Sequence, residues 1–183
     1  MTKTLDLGCG KNPNNPFELE EVYGIDLHED LNAKIYRADL AVEPIPFEDN
    51  FFDGLSAIDF IEHIPRVIYM PERRFCFVEL MNEIYRVLKP GGVFLSFTPA
   101  FPAPQAFRDP THVNIITEDT FPLYFDEKNR MADIYGFNGY FRIEEQKWHE
   151  NKIHLITVMR KLILASSSHS AGASPKTIIS PPG

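Results

Sequence analysis

The chain has 183 residues, 44% of them hydrophobic, which is enough for one domain with a full core and leaves little room for a second. Its 18 Lys and Arg against 26 Asp and Glu give a formal net charge of -8, which disfavours a nonspecific grip on a phosphate backbone or an anionic membrane. Cys9 and Cys76 are too few for a disulfide framework and lack CxxC spacing; with no long apolar run and no signal-like N-terminus, a soluble cytoplasmic protein is expected.

Residues 4–7 form a short extended run that ends in Gly8-Cys9-Gly10, and residues 22–25 form a second that ends in Asp26-Leu27. Both suit buried parallel strands with a polar C-terminal edge. Pro13 and Pro16 leave space only for a short crossover helix, starting near Pro16. Residues 35–38, followed by Asp39, predict a third strand, and residues 52–58, followed by Asp59, a fourth. The helical recurrence of Phe77, Leu80, Met81, Ile84, Tyr85 and Leu88 predicts a helix over 73–88, stopped by Lys89-Pro90-Gly91-Gly92, and residues 93–97 then form a fifth strand.

Residues 98–130 are rich in proline and aromatic side chains and predict an irregular lid over the C-terminal edge of the sheet. Phe101, Phe107, Phe121, Tyr124 and Phe125 either wall a pocket there or pack the lid. Residues 141–148 and 153–164 alternate and are joined by the polar turn Glu150-Asn151-Lys152, which predicts an antiparallel pair. Residues 165–183, mostly Ser, Ala, Gly and Pro, are expected to be a disordered tail behind a domain of 1–164. The fold class expected is α/β: a Rossmann-like, doubly wound sheet of about seven strands, mostly parallel, with an antiparallel last strand.

Sheets of this kind bind ligands at the C-terminal ends of their strands. A dinucleotide fingerprint requires a third glycine where Pro13 stands. Asp6, Asp26 and Asp39 each stand next to or at the end of one of the first three strands, an arrangement that repels a phosphate-rich cofactor. S-adenosylmethionine has no phosphate, carries an ammonium and a sulfonium, and offers ribose hydroxyls and an adenine amine to carboxylate acceptors. Charge therefore favours it over NAD.

The segments LDLGCGKNP, GIDL, RADL, FDGLSAIDFIEHIP and LKPGGVFLSFTP, in this order over about residues 4–100, resemble the class I methyltransferases, in particular the type 11 group. The resemblance implies that Gly8, Cys9 and Gly10 let the backbone approach the methionine part of S-adenosylmethionine, with Asp6 near its amino end. Asp26, followed by Leu27, matches the acid that takes the ribose hydroxyls; Asp39 with Leu40 matches the adenine pair; Ile58 with Asp59 matches the turn beside the sulfonium. Turn or helix capping is the alternative role for Asp6 and Asp39. Asn12 replaces a frequent glycine, the link from Asp6 to Asp26 is short, and the chain starts at its first strand, so a cofactor site that is open, or closed by a second copy or a partner subunit, is expected.

Methyl transfer from a sulfonium is an in-line displacement that needs alignment and exclusion of water, with a base optional. His63 and His112 are the candidate catalytic residues for taking a proton from a hydroxyl acceptor. The run Asp59-x-x-Glu62-His63 with His112 offers two carboxylates and two imidazoles to one divalent metal, and is similar to a pattern of small-RNA 2'-O-methyltransferases and quinone-biosynthesis O-methyltransferases. Glu62, His63 and His112 are the metal candidates, because Asp59 has a shorter arm than the glutamate of the RNA enzymes. The alternative is that Glu62 and His63 flank a turn before Pro65, that His112 bonds a backbone carbonyl, and that Arg108 and Asp109 form a surface ion pair. The function expected is methyl transfer to a small-molecule or saccharide acceptor, with no membrane partner. A noncatalytic module supporting a partner enzyme, and a metal-assisted RNA 2'-O-methyltransferase, are the alternatives, the net charge opposing nucleic acid.

Overall fold

A computed structural model of the protein describes residues 1–163. The expected tail over 165–183 lies outside the described residues. Seven strands form one mixed sheet in the order β3-β2-β1-β4-β5-β7-β6. Strands β1 (Lys3–Leu7), β2 (Glu21–Asp26), β3 (Ile35–Arg37), β4 (Phe52–Ile58) and β5 (Leu88–Pro99) run parallel. Strand β7 (His154–Lys161) is antiparallel to β5, and β6 (Phe141–Trp148) is antiparallel to β7. The last strand therefore inserts between its hairpin partner and the parallel sheet.

Leu5, Leu55, Phe94 and Met159 lie in one cross-strand register, and they join Leu80, Met81 and Ile84 of helix α1 (Cys76–Val87) in a single buried cluster. Helix α1 begins three residues after the expected start, and Leu88 already belongs to β5, paired with Phe52. The segment expected to stop the helix is instead an irregularity inside β5, after which Val93 pairs with Gly54.

The opposite face carries Asp6, Ser56, Leu95 and Val158 in register. The short helix expected between β1 and β2 is replaced by a loop. Its cause is local: Asn15 bonds both the N–H and the carbonyl of Leu19 with its side chain, which satisfies the backbone without a helical turn. The loop still covers part of this face, because Phe17 packs where a Cβ on Gly54 would stand and Pro13 does the same at Gly24. Among the described residues no helix longer than five residues lies elsewhere than α1. The lid contributes only α2 (Gln105–Arg108) and α3 (Thr120–Tyr124), as the density of prolines dictates.

Candidate active site

The C-terminal ends of β1, β2 and β3 stand side by side, and they bring Asp6, Asp26 and Asp39 to one rim of the sheet. Gly8 and Gly10 turn the chain away from β1 with φ of 68° and 58°. The N–H groups of Gly8 and Cys9 donate to Ile25 O at 2.9 and 3.1 Å, and Gly10 N donates to Asp26 Oδ2 at 2.8 Å, so the turn is fastened to the end of β2. A Cβ on Gly8 would stand 2.3 Å from the Phe60 ring, whereas Gly10 faces open space. The glycine turn thus has one packed side and one free side.

The three acids are used differently. Asp6 is buried, and its carboxylate accepts from Ser56 Oγ at 2.6 Å and from Asn14 N and Nδ2 at 2.9 and 2.8 Å. Burial pushes its carboxyl up, against the pull of those bonds. It shapes the loop after β1. Asp26 Oδ1 accepts from Leu27 N at 2.7 Å, and Leu27 itself is exposed beside it. Asp39 Oδ1 accepts from Ala41 N at 3.1 Å, the turn-capping role that was its alternative. Leu40 is 5% exposed and sits in the core cluster, so its side chain is not offered at the rim. The Cys9 thiol is pushed up to about 12, by burial first and by the charges of Asp6 and Asp26 after it, which leaves it an inert packing group.

One strand over, β4 ends in Ile58 and Asp59, and the 310 turn Ile61–His63 follows. A cleft of about 600 Å³ opens here, lined in part by Asp59, Glu62, His63, Arg108, His112 and His154. Glu62 is 1% exposed; Oε2 accepts from Thr98 Oγ1 at 2.8 Å while Oε1 is buried without a partner. Burial pushes the Glu62 carboxyl up, against its bonds to its own backbone N–H and to Thr98, and the Asp59 charge adds to the rise. His112 Nδ1 is likewise buried without a partner. The hydroxyl of Thr111 donates to Asp109 Oδ1 at 2.6 Å, so its contact of 3.0 Å with His63 Nδ1 requires the ring to donate. That assignment leaves the lone pair of His63 Nε2 free. The bonds from the Thr111 hydroxyl and N–H hold the Asp109 carboxyl below its ordinary range, and Asp109 is thereby tied to the His63 support instead of to Arg108.

Glu62, His63 and His112 each place one candidate ligand atom within 4.8 Å of the others. That spacing needs about an ångström of tightening to surround one cation at 2.0–2.2 Å, and the two orphaned buried atoms fit such a group. Asp59 does not join them. Its carboxylate turns to His154 Nε2 at 2.8 Å, a partner 95 residues away. A second cavity, also about 600 Å³, has Phe101, Tyr124 and Phe125 among its walls, while Phe121 is fully buried and Phe107 is 55% exposed.

A family model described as a methyltransferase domain matches residues 5–96, half of the chain, and includes all three acids of the rim. The chain belongs to this methyltransferase-domain family. The methyltransferase domain is also similar to 24-methylenesterol C-methyltransferase 2 of Arabidopsis thaliana, with 30% identity over 133 residues covering 62% of this chain and 34% of the relative. Sterol 24-C-methyltransferase erg6 of Schizosaccharomyces pombe is 28% identical over 110 residues, covering 51% of this chain and 26% of the relative. The chain therefore spans about a third or less of the curated relatives it matches. Among solved structures, a SAM-dependent methyltransferase from Archaeoglobus fulgidus superposes with a TM-score of 0.54 at 16% identity, over 87% of this chain and 86% of that one, which is likeness of fold.

His154 is the site residue that sequence reasoning missed. It belongs to β7, outside the residues 5–96 that the family model matches, and the sheet order sets it opposite Pro99 at the end of β5, from where its ring reaches Asp59 after β4. The polar turn before it was the available signal, since Asn151 supplies the contacts that fix the ring.

Proposed function

We propose that this domain transfers a methyl group from S-adenosylmethionine to a hydroxyl-bearing small-molecule acceptor. The observation that supports this most is the seating of Asp6, Asp26 and Asp39 at three neighbouring strand ends around the open side of Gly10. Carboxylates suit the ammonium and ribose hydroxyls of the donor. The backbone at Gly8 and Gly10 receives its methionine part, Asp26 and Leu27 its ribose, Asp39 its adenine, and Ile58 and Asp59 flank the sulfonium. The adjoining cleft, polar and rich in imidazole, holds the acceptor. The two curated relatives are named for sterol methylation, which supports a small molecule over a nucleic acid.

The chain's contribution to the reaction is to align the acceptor with the methyl carbon and to keep water out. His63, with its proton on Nδ1, is the group placed to take a hydroxyl proton on Nε2. The unpartnered Glu62 Oε1 and His112 Nδ1 favour a second role for the same residues, in which Glu62, His63 and His112 hold a divalent cation that supplies Lewis acidity toward the acceptor oxygen. A second copy or a partner subunit is the expected cover for the donor rim, and light scattering of the purified protein tests it. No described helix is long and apolar enough to cross a membrane. Calorimetric titration with S-adenosylmethionine tests the donor: micromolar binding is expected, and no heat at millimolar ligand, or binding of NAD in its place, refutes it.

A further inference from the structure

We propose that His154 is a positioning residue that fixes the Asp59 carboxylate beside the donor site, where its charge favours the sulfonium donor over the neutral thioether product. The inference rests on S-adenosylmethionine being the donor.

The proton on the ring is assigned by its neighbours. Asn151 Oδ1 accepts from the N–H groups of Ile153 and His154 at 2.9 and 3.2 Å, so the amide nitrogen of Asn151 is the end that faces the ring, 2.8 Å from His154 Nδ1. An amide nitrogen only donates. Nδ1 is therefore the acceptor, the ring proton sits on Nε2, and it is donated to Asp59 Oδ1 at 2.8 Å. Phe97 of β5 stacks on the ring with centroids 4.3 Å apart and 17° between planes, which favours this orientation.

At the other end, Asp59 has φ of 49°, a left-handed conformation uncommon outside glycine, asparagine and aspartate. Its N–H is anchored to Phe97 O at 2.9 Å. The Asp59 side chain is 56% exposed, and a hydrogen bond that open to water adds little to folding by itself. Three elements, the end of β4, the Phe97 ring and the turn between β6 and β7, thus converge on one exposed carboxylate; what they supply is orientation. Strand β4 is the neighbour of β1, and Phe60, next to Asp59, packs against Gly8. The held carboxylate lines the cleft beside this end of the sheet, one residue away from the ring that packs on the glycine turn.

In the reaction the S–CH3 bond breaks, its electron pair stays on sulfur, and an acceptor lone pair forms the new bond to carbon. The sulfonium becomes an uncharged thioether, so a fixed carboxylate nearby attracts the donor and loses its hold on the product.

Ring 15N shifts of His154 in the ligand-free protein are expected to show Nε2 protonated and Nδ1 bare; the opposite tautomer overturns the assignment. Calorimetry with S-adenosylmethionine and S-adenosylhomocysteine then separates charge from shape. His154→Ala is expected to weaken the sulfonium ligand about fivefold and to leave the thioether within about twofold. His154→Gln, whose amide N–H can still reach Asp59, recovers most of the loss, and Asp59→Asn, which keeps the shape and removes the charge, reproduces it. Equal weakening of both ligands, or of neither, overturns the proposal. Wild-type protein that binds neither nucleoside overturns the donor assignment together with this role, and is recognisable because the ring shifts keep their expected pattern.

Discussion

The two glycines of the turn after β1 should separate folding from binding. Alanine at either position is held in the left-handed region, since φ is 68° at Gly8 and 58° at Gly10, at a cost of roughly 1–2 kcal/mol. Loss of glycine's freedom in the unfolded chain offsets about 0.4–1 kcal/mol of this at both sites. The difference lies in what the new methyl group meets. At Gly10 there is nothing within 4 Å, whereas at Gly8 the Phe60 ring carbons stand at 2.3 and 2.8 Å, a contact that cannot exist without displacing the ring. Overpacking of that kind costs about 1–3 kcal/mol. Gly10→Ala is therefore expected to lower stability by about 1.6 kcal/mol at most, and Gly8→Ala by about 1–5 kcal/mol, the overpacking making the difference. With a urea dependence of about 2 kcal/mol per molar, the midpoints of the two variants differ by about 0.5–1.5 M. Binding reverses the order of severity. The methyl group of Gly10→Ala projects into the space assigned to the donor, so that variant loses S-adenosylmethionine affinity more than stability. In a double-mutant cycle Phe60→Ala removes the two closest atoms, so its own cost should be at least about 1 kcal/mol smaller in Gly8→Ala than in the wild type. Equal urea midpoints for Gly8→Ala and Gly10→Ala, or no coupling in the cycle, would refute the packing account.

Asp26→Ala removes the acceptor of two backbone bonds and the assigned ribose partner; calorimetry should show donor binding weaker by about 1.5–3 kcal/mol, and unchanged affinity removes the assignment. Asp6 and Glu62 both bind their protons more tightly folded than unfolded, so their contribution to stability is whole below about pH 4 and is lost as pH rises through their folded values. Glu62→Gln removes one of these losses, and in chelator its melting temperature at pH 8 should exceed the wild type's by about 2–6 °C, with the gap closing toward pH 4. Added Mn2+ or Zn2+ at a hundredfold excess over its dissociation constant should stabilise the wild type by about 2.7 kcal/mol and Glu62→Gln by far less, as read by chemical denaturation; equal gains would exclude Glu62 as a ligand.

The first four parallel strands were legible because each is a short apolar run closed by an acid or a glycine, and β4 and β6 have the bounds that the sequence predicts, whereas β5 starts five residues before its expected range. The rim of acids followed directly, since residues at the ends of consecutive parallel strands must fall on one edge. What was not legible depends on partners distant in sequence. Asp6 reads as a ligand group, yet Ser56, 50 residues on, takes one of its oxygens. Asp59 reads as the acid after β4 with an arm too short for the cation group, but nothing nearby in sequence shows that His154 of β7 is what holds it. Leu40 reads as half of an adenine pair, but apolar burial claims its side chain. The crossover helix failed for a different reason: Asn15 competes locally for the backbone, a contest that hydrophobic periodicity does not record.

Insertion of β7 between β5 and β6 also sets the order in which the site can be completed. The strand that arrives last in the described chain is an interior one, with both long edges hydrogen bonded, so β6 has no place to dock until residue 161 is available. Until then the unfinished sheet exposes the open edge of β5, a template for pairing with a neighbouring chain. Asp59 spends that interval without the imidazole that holds it, which makes orientation of the carboxylate one of the last events of folding.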